Sequence, residues 1–360
     1  SPDSRSIAYF QFDESRVSVQ HYVDVKPWTP KVIRQAYPKV GEPNPSVRVG
    51  IVGARDGGAT RWIDLTPFPH EYVVRVGWLP DSKRISIQTL NRLQTRRELL
   101  LADARTGAAQ QLMAETDSSW VGIFDGLTFL TDGSGFIWPS ERDGYQHLYL
   151  YSMSGDAVRQ ITRGAWTLRE AGGVAWVQGG MVFVDQERAC IYFTALEKSA
   201  VERHLYRIGL DGKGLQRLTT GDGSHSVTFS PDGRYFIDRS SSIDQTPSLA
   251  VYERNGALIR VIHAGKKISA LSARLVAPEI IAIPARDGFA LPAQVLRPRD
   301  LVPGKKYPVI INVYGGPSAP TVVNGWQREI LWENLLAQQG YIVMHVDNRA
   351  ATGISKKLEA

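Results

Sequence analysis

A single cysteine, Cys190, stands in 360 residues, so no disulfide can form within the chain. Its context, Ala189-Cys190-Ile191-Tyr192-Phe193, reads as a strand carrying a buried and inert thiol. No stretch approaches the roughly 18 uncharged apolar residues of a membrane-spanning helix. The opening Ser1-Pro2-Asp3 has neither the basic nor the apolar region of a signal peptide. Since Ser1 falls inside a repeat, any targeting segment is expected upstream of it. The charge excess is small, +6, and the one dense basic cluster, Arg92 to Arg97, lacks interleaved aromatics. That argues against nucleic acid as a partner. None of the seven histidines lies within a helical turn of another histidine or of the cysteine, so no metal site and no cofactor is expected. No Gly-x-Ser-x-Gly occurs, and with it the nucleophile elbow of a serine hydrolase is missing.

What the chain does have is repetition. A turn recurs as Ser1-Pro2-Asp3-Ser4, Leu79-Pro80-Asp81-Ser82, Leu130-Thr131-Asp132-Gly133 and Ser230-Pro231-Asp232-Gly233, each time followed by a strand-like run. From Pro2 to Pro80, Thr131 and Pro231 the steps are 78, 51 and 100 residues, which read as two, one and two units of about 40 to 50 residues. Within a unit, short apolar runs alternate with tight turns. Gly135-Phe136-Ile137-Trp138 leads to Asp143-Gly144, then His147-Leu148-Tyr149-Leu150-Tyr151 to Ser154-Gly155. About five four-stranded blades of a β-propeller are expected between residues 1 and 266, without helix. Between the strands at Ile7 to Phe12 and Val47 to Val52, the stretch from Asp13 to Tyr37 is an insertion, and Val17, Val19, Val23 and Val25 alternate along it as in an extended arm. A loop folded over its blade and a docking arm for a second subunit both fit that pattern.

From residue 267 to 360 the pattern changes to an α/β domain, entered through Ile280 to Pro284 and Ala293 to Leu296. Val309 to Val313 is an apolar run closed by Gly315-Gly316-Pro317, expected to be a parallel strand buried on both faces. Asn324 is positioned to cap a helix whose apolar residues Trp326, Ile330, Leu331, Leu335 and Leu336 share one face, with Gly340 as its stop. Tyr341 to Val346 then supplies a second parallel strand, with His345 as a core histidine. Sheets of this kind usually hold five or more strands, so the domain is expected to continue past Ala360. Tyr314 emerges at the strand's C-terminal end, where ligands bind in such sheets.

Three motifs, in order, carry a resemblance. Tyr37-Pro38-Lys39-Val40-Gly41-Glu42-Pro43-Asn44-Pro45, Glu141-Arg142-Asp143-Gly144-Tyr145-Gln146-His147-Leu148-Tyr149 and Asn312-Val313-Tyr314-Gly315-Gly316-Pro317, together with Asp347-Asn348-Arg349, resemble the dipeptidyl peptidase IV branch of the prolyl oligopeptidase family. The first two read as structural markers. Prolines fix an extended path in one, and a type I′ turn is expected at Asp143-Gly144 in the other. After Asn348-Arg349, the residues Ala350-Ala351-Thr352-Gly353 depart from the commoner Gly-Thr-Gly.

The resemblance implies an eight-bladed propeller capping an α/β-hydrolase, and release of Xaa-Pro or Xaa-Ala dipeptides from peptides with a free N-terminus by a Ser-Asp-His triad. It places about three blades and the glutamates that hold the substrate amine before Ser1, and the triad after Ala360. It assigns Tyr314 as an oxyanion-hole donor, Phe129 as a residue facing substrate, and the arm from Asp13 to Tyr37 as a homodimer contact. It favours a periplasmic or secreted location over a cytoplasmic one, which the sequence leaves open. By itself the chain is expected to be inactive. The alternative is a propeller that binds peptides or proteins, joined to a hydrolase-like domain without catalysis.

Overall fold

The computed structural model describes residues 1–55, 57–170 and 179–360. They fall into two units, one of Ser1–Val121 with Phe129–Ser134 and Met153–Asp156, the other of Gly122–Thr128, Gly135–Ser152 and Ala157–Ala360.

In the first unit, β1 (Ser6–Asp13) is followed by β2 (Val19–Asp24) and β3 (Lys31–Ala36), which among the described residues pair only with each other as a two-stranded arm. Then β4 (Ser46–Gly53) and β5 (Gly57–Trp62) complete a three-stranded sheet with β1. The second sheet runs in chain order through β6 (Tyr72–Trp78), β7 (Arg84–Leu90), β8 (Arg96–Asp103) and β9 (Ala109–Thr116). Alternate residues of these sheets, among them Val49, Ile51, Ile85, Ile87 and Leu100, form their core. Three further four-stranded sheets follow: β10 (Thr128–Phe129) to β11 (Gly135–Ser140), β12 (His147–Ser152) and β13 (Ala157–Gln160); β14 (Met181–Asp185) to β15 (Cys190–Ser199), β16 (Glu202–Gly209) and β17 (Gln216–Arg217); and β18 (Ser224–Phe229) to β19 (Tyr235–Ser242), β20 (Gln245–Glu253) and β21 (Leu258–His263). These five sheets match the expected propeller blades, except that the first has three strands among the described residues. The 78-residue step holds one sheet and the arm rather than two sheets.

The repeated turn has a local cause. Its aspartate accepts from the backbone N–H two residues on, Arg5 to Asp3 at 3.1 Å, Lys83 to Asp81 at 2.8 Å, Ser134 to Asp132 at 2.9 Å and Arg234 to Asp232 at 3.1 Å. The residue between is left-handed, with φ of 59°, 56°, 72° and 64° at Ser4, Ser82, Gly133 and Gly233. Between β14 and β15 the same job falls to Asp185 and Ala189 at a wider spacing, and there the sequence pattern is silent. At Asp143-Gly144 only the glycine is left-handed, so the turn closed by Gly144 N–H on the Glu141 carbonyl is not the expected type I′. A second device repeats on the third strand. His147 and His204 are buried against Thr162 and Thr219, each at 3.0 Å, and each threonine hydroxyl also accepts from the next backbone N–H, of Leu148 and Leu205. Between the last two sheets the rings of Phe183, Phe229, Phe236 and Tyr252 pack in series at 5.3, 5.3 and 5.2 Å. Phe236 is fully buried and contributes about 1.5 to 3 kcal/mol, while the other three rings are partly buried around it. Cys190 is buried beside them, and burial raises its thiol further from ionisation.

After α1 (Ile268–Leu271), β22 (Glu279–Pro284) and β23 (Ala290–Leu296) enter a mixed sheet, followed by β24 (Val309–Asn312), α2 (Ile330–Gln338), β25 (Ile342–Val346) and α3 (Lys356–Glu359). Its order is β22-β23-β25-β24, with only β24 and β25 parallel, so β24-α2-β25 is the expected crossover. Two expectations are corrected. β24 is exposed at all four positions, because it is the sheet's edge and α2 packs on β23 and β25. The buried face of α2 is Ile330, Glu333, Asn334 and Ala337, while Leu331 and Leu335 face outward. Polar residues can line that face because each is paired. His345 Nε2 lies 2.5 Å from Glu333, and Asn334 bonds both the N–H and the carbonyl of Val276.

Candidate functional site

Because β24 and β25 run parallel in register, from Val309 opposite Ile342 to Asn312 opposite His345, their C-terminal ends emerge together. Tyr314 to Pro317 leaves one and Asp347-Asn348-Arg349 the other. Asp347 is only 1% exposed and accepts from Thr321 N–H at 2.9 Å, Thr321 Oγ1–H at 2.7 Å and Val322 N–H at 2.9 Å. Asn348 donates to the Gly315 carbonyl at 3.0 Å, and Ser318 N–H to the Ala350 carbonyl at 2.8 Å. The motif after β25 is therefore a clamp on the loop after β24.

Within that loop Tyr314 is 63% exposed. Its ring lies across Gly316, where a Cβ would sit 2.6 Å from Tyr314 Cε1, closer than real Cβ contacts allow. The second glycine of Gly-Gly-Pro thus permits the ring's position. Its hydroxyl makes no hydrogen bond to the described residues, and Tyr314 lines a cavity.

The loop's far end is tied to the neighbouring blades of the same unit. Asn324 donates to Glu202 at 2.6 Å and accepts from Ile243 N–H at 3.1 Å, and its own N–H reaches the Val201 carbonyl at 2.8 Å. It does not cap α2, whose N-cap is Glu329 without a side-chain bond. Glu202 also pairs with Lys198 at 2.6 Å. Burial alone would raise its carboxyl, but the bonds from Lys198, Asn324 and Gly223 hold it below the usual carboxylate range. Trp326 N–H reaches Ser241 Oγ at 3.0 Å, and Lys356 N–H the Gly144 carbonyl at 3.0 Å.

Between blades and loop lies a cavity of about 430 Å³, lined by Arg169, Arg203, Ser224, Tyr314, Ser318 and Thr321 among others. That volume suits a peptide segment or small molecule. Arg169 reaches the Gly353 carbonyl through Nη2, and Arg203 donates to the His225 carbonyl at 2.8 Å. Sequence reasoning placed Tyr314 here and missed both arginines. Arg169 lies between β13 and β14 and Arg203 on β16, 34 positions apart, with no spacing signal to join them. Phe129 is buried in β10 and is not part of this lining.

A profile of the dipeptidyl peptidase IV (DPP IV) N-terminal region matches residues 1–247. The chain is similar to a probable dipeptidyl peptidase 4 of Emericella nidulans, 28% identical over 384 residues that cover 97% of this chain and 47% of that one. Dipeptidyl peptidase 8 of Mus musculus is 27% identical, with 98% of this chain and 46% of that protein covered. The crystal structure of Porphyromonas gingivalis dipeptidyl peptidase 4 matches with a TM-score of 0.86 at 25% identity, over 99% of this chain and 50% of that one. The chain spans about half the length of the relatives it matches.

Proposed function

The chain belongs to the dipeptidyl peptidase IV family, and on that premise we propose that it is part of a serine exopeptidase releasing Xaa-Pro or Xaa-Ala dipeptides from the free N-termini of peptides. The observation that carries this reading is Tyr314, held at the end of β24 by a loop clamped to Asp347 and Asn348, where it lines a peptide-sized cavity. A neutral hydroxyl fixed where charge develops on the carbonyl oxygen stabilises the transition state more than the bound substrate. Tyr314 is the oxyanion donor in this proposal. Phe129, buried in β10 and outside this cavity, keeps the role of the family's aromatic toward substrate on the resemblance alone, and the β2–β3 arm is the homodimer contact. The mixed sheet from β22 onward is the start of the α/β-hydrolase domain.

The nucleophile and its base come from residues other than these 360, since no Gly-x-Ser-x-Gly is among them. Assay of the intact protein on Ala-Pro and Gly-Pro chromogenic substrates should give turnover that a serine-directed inhibitor abolishes. The 360-residue chain assayed alone should give none. Absence of turnover in the intact protein, with peptide binding retained, would make the molecule a binding module instead.

A further inference from the structure

Arg169 and Arg203 both line the cavity beside Tyr314, and neither forms an ion pair within the described residues. Their partners are carbonyls. Arg169 binds that of Gly353, and Arg203 those of His225 at 2.8 Å and, at 3.4 Å, Glu170. Carbonyl dipoles satisfy N–H groups without neutralising two positive charges withdrawn from water. The one carboxylate on the lining, Glu170, is exposed and pairs with neither. Two polar atoms at the same place are buried without a partner, Nε of Arg169 and Oγ of Ser224, a residue 8% exposed. Gly353 leaves room for this guanidinium, since a Cβ there would sit 2.3 Å from Nη2 of Arg169. Burial, with the charge of Arg169 adding to it, pushes the Arg203 guanidinium down to about 10, which still leaves it charged at neutral pH. Glu359 and Glu141 act on Arg169, and Asp238 and Glu170 on Arg203, only from beyond ion-pair distance, so what this cluster lacks is an anion whose oxygens touch the guanidinium groups.

We infer that the cavity is a carboxylate-recognition subsite, in which Arg169, Arg203 and Ser224 hold a carboxylate carried by the peptide near the bond that Tyr314 faces. Guanidinium groups match carboxylates through paired N–H donors, and a planar acceptor between the two arginines also removes their mutual repulsion. The carboxylate is either an acidic side chain or a chain terminus. Identifying it as part of a peptide substrate rests on the proposed function; the anion site itself does not.

Titration of the intact protein with small probes that a dipeptidyl peptidase cannot cleave separates these points. N-acetyl-glutamate amide should bind at least tenfold more tightly than N-acetyl-glutamine amide at low salt. N-acetyl-glycine, with a terminal carboxylate, identifies the source: binding equal to the glutamate probe means any peptide carboxylate is taken, and weaker binding means an acidic side chain is preferred. Arg203→Gln should erase the glutamate preference, and Arg203→Lys should keep part of it. If Arg203→Gln does not fold, the wild-type protein still decides, because raising salt from about 0.02 to 0.5 M should collapse the preference by screening. Equal binding of the glutamate and glutamine probes, or a preference that survives Arg203→Gln in a folded protein, would overturn the inference. Turnover of an Ala-Pro substrate is measured on the same preparation. Carboxylate discrimination without turnover removes the proposed function and leaves this site standing, whereas turnover without discrimination removes only this site.

Discussion

Asp347 and Thr321 lie 26 residues apart and meet through three hydrogen bonds, two from the Thr321 N–H to the two carboxylate oxygens at 2.9 and 3.0 Å and one from its hydroxyl at 2.7 Å. The carboxylate ends β25, and the threonine belongs to the loop that carries Tyr314 and lines the cavity. One buried charge therefore sets the shape of the loop that faces the candidate substrate.

Asp347→Ala should destabilise the folded chain by about 2 to 4 kcal/mol, since it strands the donors of Thr321 and Val322 in a buried place. Denaturant melts of variant and parent check this. A difference below about 0.5 kcal/mol would mean that water replaces the carboxylate without loss.

Tyr314→Phe removes a hydroxyl from a side chain that is 63% exposed, so the melting temperature should hardly move. In the intact enzyme kcat should fall roughly 10²- to 10³-fold with KM little changed, as for other single oxyanion donors. Near-normal kcat would end the assignment of Tyr314.

Gly316→Ala tests the same residue through its neighbour. The added Cβ meets Tyr314 Cε1 at 2.6 Å and Cδ1 at 3.2 Å, so the ring must turn away. Turnover should drop towards that of Tyr314→Phe while substrate affinity and melting stay close to the parent. Undiminished turnover would show that the ring's position is not what the reaction uses.

His204 is fully buried, and burial, with His225 adding to it, holds its pKa down to about 4 from an ordinary 6.5. In the unfolded chain it takes up a proton below pH 6.5, while in the folded chain it stays neutral. Unfolding therefore binds a proton in this window, and stability falls as pH drops, by about 2 kcal/mol between pH 7 and 5. The loss should be smaller by that amount in His204→Gln. The same loss in that variant would assign the pH dependence to other groups.

The arm presents Val19, Val23, Val25, Trp28, Val32 and Ile33 to solvent. In the proposed homodimer this apolar surface of the two-stranded ribbon is what the second subunit covers. Val23→Asp in the intact protein should shift light-scattering mass from dimer towards monomer at micromolar concentration. An unchanged dimer would exclude the arm as the contact.

How far the sequence could be read depended on the range of the interactions. The blade turns were legible because Asp81, Asp132 and Asp232 act on N–H groups two residues away, so the cause lies inside the motif. The turn at Asp185 was not, since its bond spans a different interval. Periodicity misjudged α2 because its inward Glu333 and Asn334 are satisfied by His345 and Val276, residues that a helical pattern does not contain. It also misjudged β24, whose apolar run marks the strand without saying what covers it.

By itself the sequence determined the five blade-type sheets, the inserted arm, the β24-α2-β25 crossover and Tyr314 at a strand end, all of which follow from local pattern or a contiguous motif. Tertiary structure alone decided that Asp347 and Asn348 clamp the loop of Tyr314, that Asn324 joins that loop to Glu202 instead of capping a helix, and that Arg169 and Arg203 share a cavity with Tyr314. Each of these joins residues from separate sheets or from opposite ends of a crossover. Their energy comes from burial and pairing at short distance in space, and one-dimensional spacing carries no record of that distance.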